Sequence, residues 1–197
     1  MKEYIKMISV LTAIAAVCGL LLSAVKKGTE KRIEEQILYN VQGPAIKDLF
    51  GYTEKIDEIM PKIIGNRQEI TLNEQKQSVF VDKKDDKPKA IAFESNAMGF
   101  GDKIVVLVGF DLEKDLLTGI GIITHKETPG LGARVTESVF RDNFKGKTLT
   151  EKFKVKQDDG IVDAISGATI SSRAVCAAVE KSIALYPAVK ENITKKN

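Results

Sequence analysis

Two stretches of this sequence combine small, acidic and hydroxyl-bearing residues in patterns that suit ligand binding. The first runs from Asp163 to Ser172, D-A-I-S-G-A-T-I-S-S, and opens a predicted helix. Gly167 and Ala168 let a bulky group approach the backbone, and a helix N-terminus among hydroxyl groups binds anions, phosphate in particular. The alternative is that Ser171 or Ser172 merely caps the helix. The residues alone leave both interpretations open.

The second stretch is His125 to Gly132, H-K-E-T-P-G-L-G, which directly follows an apolar run. Pro129 and the two glycines predict a rigid turn that a ligand can approach closely, because glycine has no Cβ to obstruct it. The alternative is an ordinary connection between a strand and a helix. His125 is the one histidine of the chain, which favours a structural role over metal binding or catalysis.

The composition excludes several kinds of chemistry. Among 197 residues there are one His, two Cys and no Trp, too few ligands for an iron–sulfur cluster, a haem attachment motif or a zinc framework. A net charge of +3 gives no basis for nucleic acid as a partner. Glycine pairs such as Gly99 and Gly101 do not complete a dinucleotide-binding motif. Redox chemistry in this chain therefore requires an organic cofactor.

The N-terminal residues predict a membrane anchor. Met7 to Val25 carries no charged residue, and a helix of this length spans roughly 29 Å, close to the roughly 30 Å hydrocarbon core. A cleaved signal peptide and a lipoprotein signal are the alternatives, but Leu22 to Ala24 and the residues before Cys18 fit them poorly. Basic residues lie on both sides, so the positive-inside rule leaves the orientation open. We expect residues 1–27 to form a transmembrane anchor with a short N-terminal tail.

Residues 28–66 are predicted to form a helical stalk that packs on the following domain. Ile33 and Ile37 recur at helical spacing, and Gly43-Pro44 is expected to end this helix. A shorter amphipathic helix follows. No Ser- or Gly-rich linker separates the stalk from the next residues, which favours docking.

Residues 67–197 are predicted to form one α+β domain, with a mainly antiparallel sheet flanked by helices. The last helix is expected to run from about Ser171 to Leu185 and end before Pro187, with Cys176 on its core face. The charged run Lys83 to Lys87 predicts a hairpin turn. The predicted strands are 68–72, 78–81, 89–93, 104–112, 117–123 and a short one at 153–155, with a helical stretch near 136–143.

The first stretch resembles a known motif. Asp163 to Thr169, D-A-I-S-G-A-T, is similar to the flavinylation motif D-x-x-[S/T]-G-A-T of FMN-binding domains, in which FMN is joined through its phosphate to the final threonine. Glu127 to Gly132, E-T-P-G-L-G, resembles a segment of two members of that family. One is the subunit designated G in the Rnf electron-transport complex, and the other is the subunit designated C in the sodium-translocating NADH:quinone reductase. Ala164 stands where many members have Gly.

The resemblance implies an FMN held covalently by a phosphoester at Thr169, with the flavin ring over the Glu127 to Gly132 turn. It implies no catalytic residue and no metal ligand in the chain itself, because the flavin does the chemistry. The cofactor-binding residues that it implies are Thr169, Asp163, Ser166, Gly167, Ala168, Ser171, Glu127, Thr128, Pro129, Gly130, Leu131 and Gly132.

The resemblance also implies a function: a membrane-anchored flavoprotein subunit of the Rnf complex, an ion-translocating oxidoreductase, that relays electrons during transfer between ferredoxin and NAD. The domain is then expected outside the cytoplasmic membrane, with other membrane and peripheral subunits, membrane lipid and a flavin transferase as partners. Compact length and the Gly99 to Gly101 segment favour the Rnf member. The alternatives are the quinone-reductase member, or a cofactor-free extracytoplasmic binding module in which Thr169→Ser changes little.

Overall fold

A computed structural model of the chain describes residues 2–72 and 75–195. It divides into two compact units, the first ending at Leu38 and the second beginning at Tyr39. The boundaries predicted after residues 27 and 66 stay predictions.

The first unit is built on one long helix, α1, Lys2–Ile37, which buries none of its side chains. Its N-terminal part is apolar and exposed, as at Leu11 and Leu20. In the part of the chain that the structure describes, α1 carries the one segment long and apolar enough to cross a membrane. Residues 28–37 continue this helix without a break.

In the second unit, strands form an antiparallel sheet in which each strand pairs with the next along the chain. Asp85 and Asp86 adopt left-handed φ angles of 52° and 60° and connect β2 to β3, as the charged run predicts. The five predicted strands and the α+β class are confirmed. The bounds are β1 Arg67–Leu72, β2 Gln75–Lys84, β3 Lys87–Met98, β4 Lys103–Asp111 and β5 Leu116–Thr124.

Two short helices, α2 (Gly43–Phe50) and α3 (Ile56–Gly65), pack against one face of the sheet. A Cβ at Gly121 would lie 2.7 Å from that of Ala45, so this glycine permits the close approach of α2 to β5. The predicted break at Gly43 and Pro44 is wrong. A π-helical turn, Leu38–Gln42, leads directly into α2, and the first turn of a helix tolerates proline because its N–H needs no intrahelical partner.

The other face of the sheet is covered by α5, Thr169–Lys195, which packs on β3 and β4. The prediction that this helix ends before Pro187 is wrong. Val189 and Ile193 are fully buried beyond the proline, and their packing outweighs the one backbone hydrogen bond that proline removes. Cys176 is buried on the core face, as predicted.

Short helical segments connect β5 to α5. A 3₁₀ turn, Gly132–Thr136, precedes α4 (Ser138–Arg141), which agrees with the predicted helical stretch. The strand predicted at 153–155 is wrong: Val155 forms only an isolated bridge with Val162. The chain turns back at Asp159, which has a left-handed φ of 56°, so too few residues remain to extend a ladder.

Candidate functional site

The two stretches singled out in the sequence line one cavity of about 360 Å³. One wall comes from the segment after β5, and another from the start of α5. The turn between β3 and β4 adds a third. Small-ligand sites have volumes of about 300–1,000 Å³, so the cavity suits a ligand or a large part of one. The lining residues are Phe100, Glu127, Thr128, Leu131, Gly132, Gly167, Ala168, Thr169, Ile170 and Ser171.

The N-terminus of α5 presents backbone donors to this cavity. The first helical hydrogen bond joins the Ser172 N–H to the Ala168 carbonyl at 3.0 Å, so the N–H groups of Thr169, Ile170 and Ser171 precede the bonded ladder. Among the described residues, neither these three N–H groups nor the Thr169 hydroxyl has a hydrogen-bond partner. Free N–H groups and the helix dipole together favour a bound anion.

The two serines near this helix end do not act as caps. Ser172 Oγ accepts a bond from the Ile165 N–H and donates one to the Ala168 carbonyl, both at 3.0 Å. The Ser171 hydroxyl donates to the carboxylate of Glu127. The capping interpretation therefore does not describe this helix, whose first N–H groups are left available to a ligand.

Glu127 is a buried carboxylate, with 6% of its surface exposed. Its Oε1 accepts hydrogen bonds from the N–H groups of Phe100 and Gly101, each at 3.0 Å, and its Oε2 accepts the bond from Ser171. Burial raises the pKa of Glu127, but the three hydrogen bonds lower it by more, so its pKa lies below the ordinary value. Glu127 thus joins three chain segments as an ionised group.

Glycines make this arrangement possible. A Cβ at Gly132 would lie 2.5 Å from both Glu127 Oε2 and Ser171 Oγ, which real structures do not allow. At Gly99, a Cβ would lie 2.9 Å from the Ile104 side chain and would also overlap Glu127 Oε1. Both glycines thus make room for the buried carboxylate, and the contact predicted between Gly132 and a ligand stays a prediction.

Apolar side chains stand at the cavity with much of their surface exposed. Phe100 is 72% exposed, Leu131 47% and Ile170 51%. Exposed large apolar groups that converge on a cavity suit a planar apolar ligand surface. The cavity therefore combines anion donors with an apolar margin.

Four predicted site residues lie outside the cavity lining. Asp163 pairs instead with Lys156, at 2.7 Å between Oδ1 and Nζ. Ser166, Pro129 and Gly130 are exposed and shape the turns. Their predicted contact with a cofactor stays a prediction.

Sequence reasoning missed two lining residues, Phe100 and Ile170. Phe100 had a usable signal, because an aromatic residue between two glycines at a strand end is expected to be exposed. Ile170 lies inside the motif, and its large side chain next to Thr169 was the corresponding signal.

Other chemistry-bearing residues have structural surroundings. His125 Nδ1 accepts a hydrogen bond of 3.2 Å from the Glu127 N–H, which agrees with the structural role predicted for it. Burial raises the pKa of the Cys176 thiol to about 12, which makes it unreactive. The described residues contain no group of three or more His, Cys, Asp or Glu that could hold a metal.

Comparison with known families shows what the segment that carries this cavity resembles. The FMN-binding domain family matches residues 99–184, a span that contains every residue of the lining. Residues 99–184 are therefore similar to an FMN-binding domain. The chain is 29% identical over 187 residues to the ion-translocating oxidoreductase complex subunit designated G of Pseudomonas aeruginosa, covering 88% of this chain and 84% of that protein. It is 39% identical over 111 residues to the protein of the same name from Salmonella typhi, 53% of each chain.

The fold of much of the chain is also similar to that of a solved structure. It is the crystal structure of the subunit designated C of the Na⁺-translocating NADH-quinone reductase from Parabacteroides distasonis, which superposes with a TM-score of 0.61. The match covers 81% of this chain and 95% of that one, at 23% sequence identity. The predicted resemblance to the Rnf member of the family is confirmed, and the fold is similar to that of the quinone-reductase member.

The residues of the cavity fit the two parts of FMN. The unpartnered N–H groups of Thr169, Ile170 and Ser171 match the acceptor oxygens of a phosphate. Phe100 and Leu131 match an apolar ring system.

Proposed function

We propose that this chain is a membrane-anchored flavoprotein subunit of an ion-translocating oxidoreductase that relays electrons through FMN esterified to Thr169. The observation that carries the proposal is the start of α5. There the unpartnered hydroxyl of Thr169 lies beside three unpartnered N–H groups in the cavity of an FMN-binding domain. The names of the Pseudomonas and Salmonella relatives support the kind of complex.

The cavity residues suit a relay better than an enzyme with its own acid–base chemistry. Glu127 is the one ionisable side chain of the lining, and all three of its bonds are to protein donors. The electron chemistry belongs to FMN, while the chain binds its phosphate and shields part of its ring.

Attachment at Thr169 is chemically simple. A flavin transferase with FAD as donor would form a bond between Thr169 Oγ and the phosphorus of the FMN portion. The bond from that phosphorus to the AMP portion breaks, AMP leaves, and the hydroxyl proton is lost. The N–H groups of Ile170 and Ser171 then stabilise the remaining negative charge of the phosphodiester.

The membrane and the partners complete the proposal. The apolar part of α1 supports anchoring in a membrane, and the family resemblance supports an extracytoplasmic domain and contact with other subunits of the complex. Ferredoxin and NAD as the partners of the overall reaction stay a prediction from that resemblance. No motif for either is found in this chain.

The test is made on the full chain, expressed with and without a flavin transferase. Denaturing gels under ultraviolet light report covalent flavin, and intact mass reports the expected gain of FMN less one water. Thr169→Ala is expected to abolish both signals, and Thr169→Ser to weaken or abolish them.

A matched control is Thr136→Ala. The Thr136 hydroxyl bonds to the Ala133 carbonyl at 2.9 Å and lies outside the cavity, so its loss is expected to leave the fluorescence unchanged. A dark band and an unmodified mass from folded wild-type protein, with active transferase, would overturn the proposal in favour of a cofactor-free module. Fluorescence that survives in Thr169→Ala would move the attachment to another residue.

A further inference from the structure

The cavity has a charged wall that the proposed relay does not use. Of the ten lining residues, only Glu127 carries an ionisable side chain, and only 6% of its surface is exposed. The nearby ion pairs lie elsewhere: Lys126 is bound to Asp102 at 2.6 Å, and Lys156 to Asp163 at 2.7 Å. Neither lysine is part of the lining. The negative charge of Glu127 therefore has no cationic side chain within the cavity.

Hydrogen bonds keep this carboxylate charged. Two backbone N–H groups and one hydroxyl donate to it, and hydrogen bonds to the charged form of an acid stabilise that form. The pKa of Glu127 is accordingly lowered in spite of burial. At neutral pH the cavity wall holds a full negative charge.

The same three bonds fix the shape of the cavity. They join the β3–β4 turn, through Phe100 and Gly101, to the first turn of α5, through Ser171. Without the carboxylate, the three hydrogen bonds that link the β3–β4 turn to α5 through Glu127 would be lost. Glu127 is thus placed to hold the Phe100 wall and the wall that carries Thr169 at a fixed separation.

We propose that Glu127 is a positioning residue whose fixed negative charge also lowers the reduction potential of the flavin bound in this cavity. The inference rests on the proposed function. Reduction adds electrons to the flavin, and a buried negative charge nearby makes that addition less favourable, because the protein interior screens charge less than water does. A relay that donates electrons onward benefits from a lowered potential.

Two variants separate charge from geometry. Glu127→Gln removes the charge but keeps the shape: its carbonyl oxygen can accept the Phe100 and Gly101 bonds, and its amide can donate to Ser171. Ser171→Ala keeps the charge and removes one bond that offsets it. An effect of the charge therefore predicts opposite shifts of the flavin reduction potential in the two variants. A loosened cavity predicts a shift in the same direction in both.

The experiment is a redox titration with dithionite, at pH 8, of the full chain loaded with flavin by the transferase. For Glu127→Gln we expect the ratio of reduced to oxidised flavin at a fixed potential to rise about tenfold, a positive shift of about 30 mV for a two-electron couple. For Ser171→Ala we expect a negative shift, because the carboxylate loses a hydrogen bond that offsets its charge. Flavin content per chain, measured by absorbance, is recorded alongside.

Each outcome decides the inference. No shift or a negative shift in Glu127→Gln overturns it, as does an unchanged or positive potential in Ser171→Ala. If Glu127→Gln takes up no flavin, Ser171→Ala decides alone: a negative shift supports the charge effect, and an unchanged or positive potential overturns it. Wild-type protein that takes up no flavin refutes the proposed function instead, so the two failures are distinguishable.

Discussion

The two ends of α5 differ in whether their polar groups have hydrogen-bond partners. At the N-terminal end, the N–H groups of Thr169, Ile170 and Ser171 lack partners among the described residues, and the apolar side chains beside them are exposed. At the other end, the Tyr186 hydroxyl donates a hydrogen bond to the Asp115 carboxylate. Lys190 bonds to the same carboxylate at 2.6 Å. One end is open to a ligand, and the other is closed by the protein.

The closed end is also where aromatic packing is densest. Phe110 stacks between Phe93, at 5.3 Å between ring centroids, and Tyr186, at 4.6 Å. All three rings are buried. Buried residues run along α5 from Ser171 to Ile193, so the helix can leave its first N–H groups without partners and still keep its place on the sheet. The open end is therefore suited to a ligand, and its free N–H groups do not indicate poor folding.

Two phenylalanines, one at each end, are expected to differ most in their effect on stability. Phe110→Ala removes a fully buried ring from the closed end and is expected to lower the free energy of unfolding by about 3–5 kcal/mol. Phe100→Ala removes a ring that is 72% exposed at the open end, and its expected effect on stability is within about 0.5 kcal/mol. Urea unfolding of the apoprotein in detergent measures both.

Flavin uptake is expected to reverse the order of these two variants. Phe110→Ala, kept below its unfolding temperature, should load flavin as the wild type does, whereas Phe100→Ala should load less or leave the ring fluorescence more exposed to quenchers. Equal stability losses in the two variants would contradict the division into an open and a closed end.

A smaller effect is expected from crowding the open end. Gly132→Ala would set a Cβ 2.5 Å from both Glu127 Oε2 and Ser171 Oγ, so the bond between these side chains must break or shift. Overpacking of this kind costs about 1–3 kcal/mol. We expect reduced covalent flavin in the gel assay.

The matched control for this crowding is Gly65→Ala. A Cβ at Gly65 meets nothing within 4 Å, and the residue lies at the end of α3, outside the cavity. It should load flavin normally. Full loading and unchanged stability of Gly132→Ala would mean that the Glu127–Ser171 bond is dispensable for the site.

The sequence predicted the open end better than the closed one. Asp163 to Ser172 contains glycine, hydroxyl groups and a helix start in consecutive positions, so local rules suffice to locate the start of α5 and its donors. The five strands were likewise predicted by their β-rich composition. Both are signals that a short window of residues carries.

The parts that were missed depend on contacts between distant residues. The helix past Pro187 is held by the burial of Val189 and Ile193 against the sheet, which overrides the local stop signal. The bonds of Glu127 to Phe100 and Ser171 join residues 27 and 44 positions apart. No local pattern shows which donors a glutamate finds at that separation, so the sequence did not indicate that Glu127 joins these segments.

The smallest expected effect is on the free energy of unfolding at acidic pH, where the carboxylates at the two ends of α5 are expected to differ. The pKa values of both Glu127 and Asp115 are lower than usual. In Glu127, hydrogen bonds outweigh a burial effect that raises the pKa; in Asp115, hydrogen bonds from Lys190 and Tyr186 lower it. Because the folded pKa lies below the unfolded one, each acid stabilises the fold above its unfolded pKa of about 4, and this is lost as pH falls through the folded pKa.

Replacing either acid by its amide, Glu127→Gln or Asp115→Asn, should therefore flatten the decline in unfolding free energy below about pH 5. The ionic strength is expected to distinguish the contribution of Asp115 from that of Glu127. The Asp115 side chain is 55% exposed, so its contribution should shrink in concentrated salt, whereas that of Glu127, at 6% exposure, should persist. Urea unfolding of apoprotein across pH, at low and high ionic strength, measures the difference. If salt reduced both contributions to the free energy of unfolding equally, Glu127 would be as accessible to solvent as Asp115. The carboxylate in the cavity wall would then not be shielded from solvent.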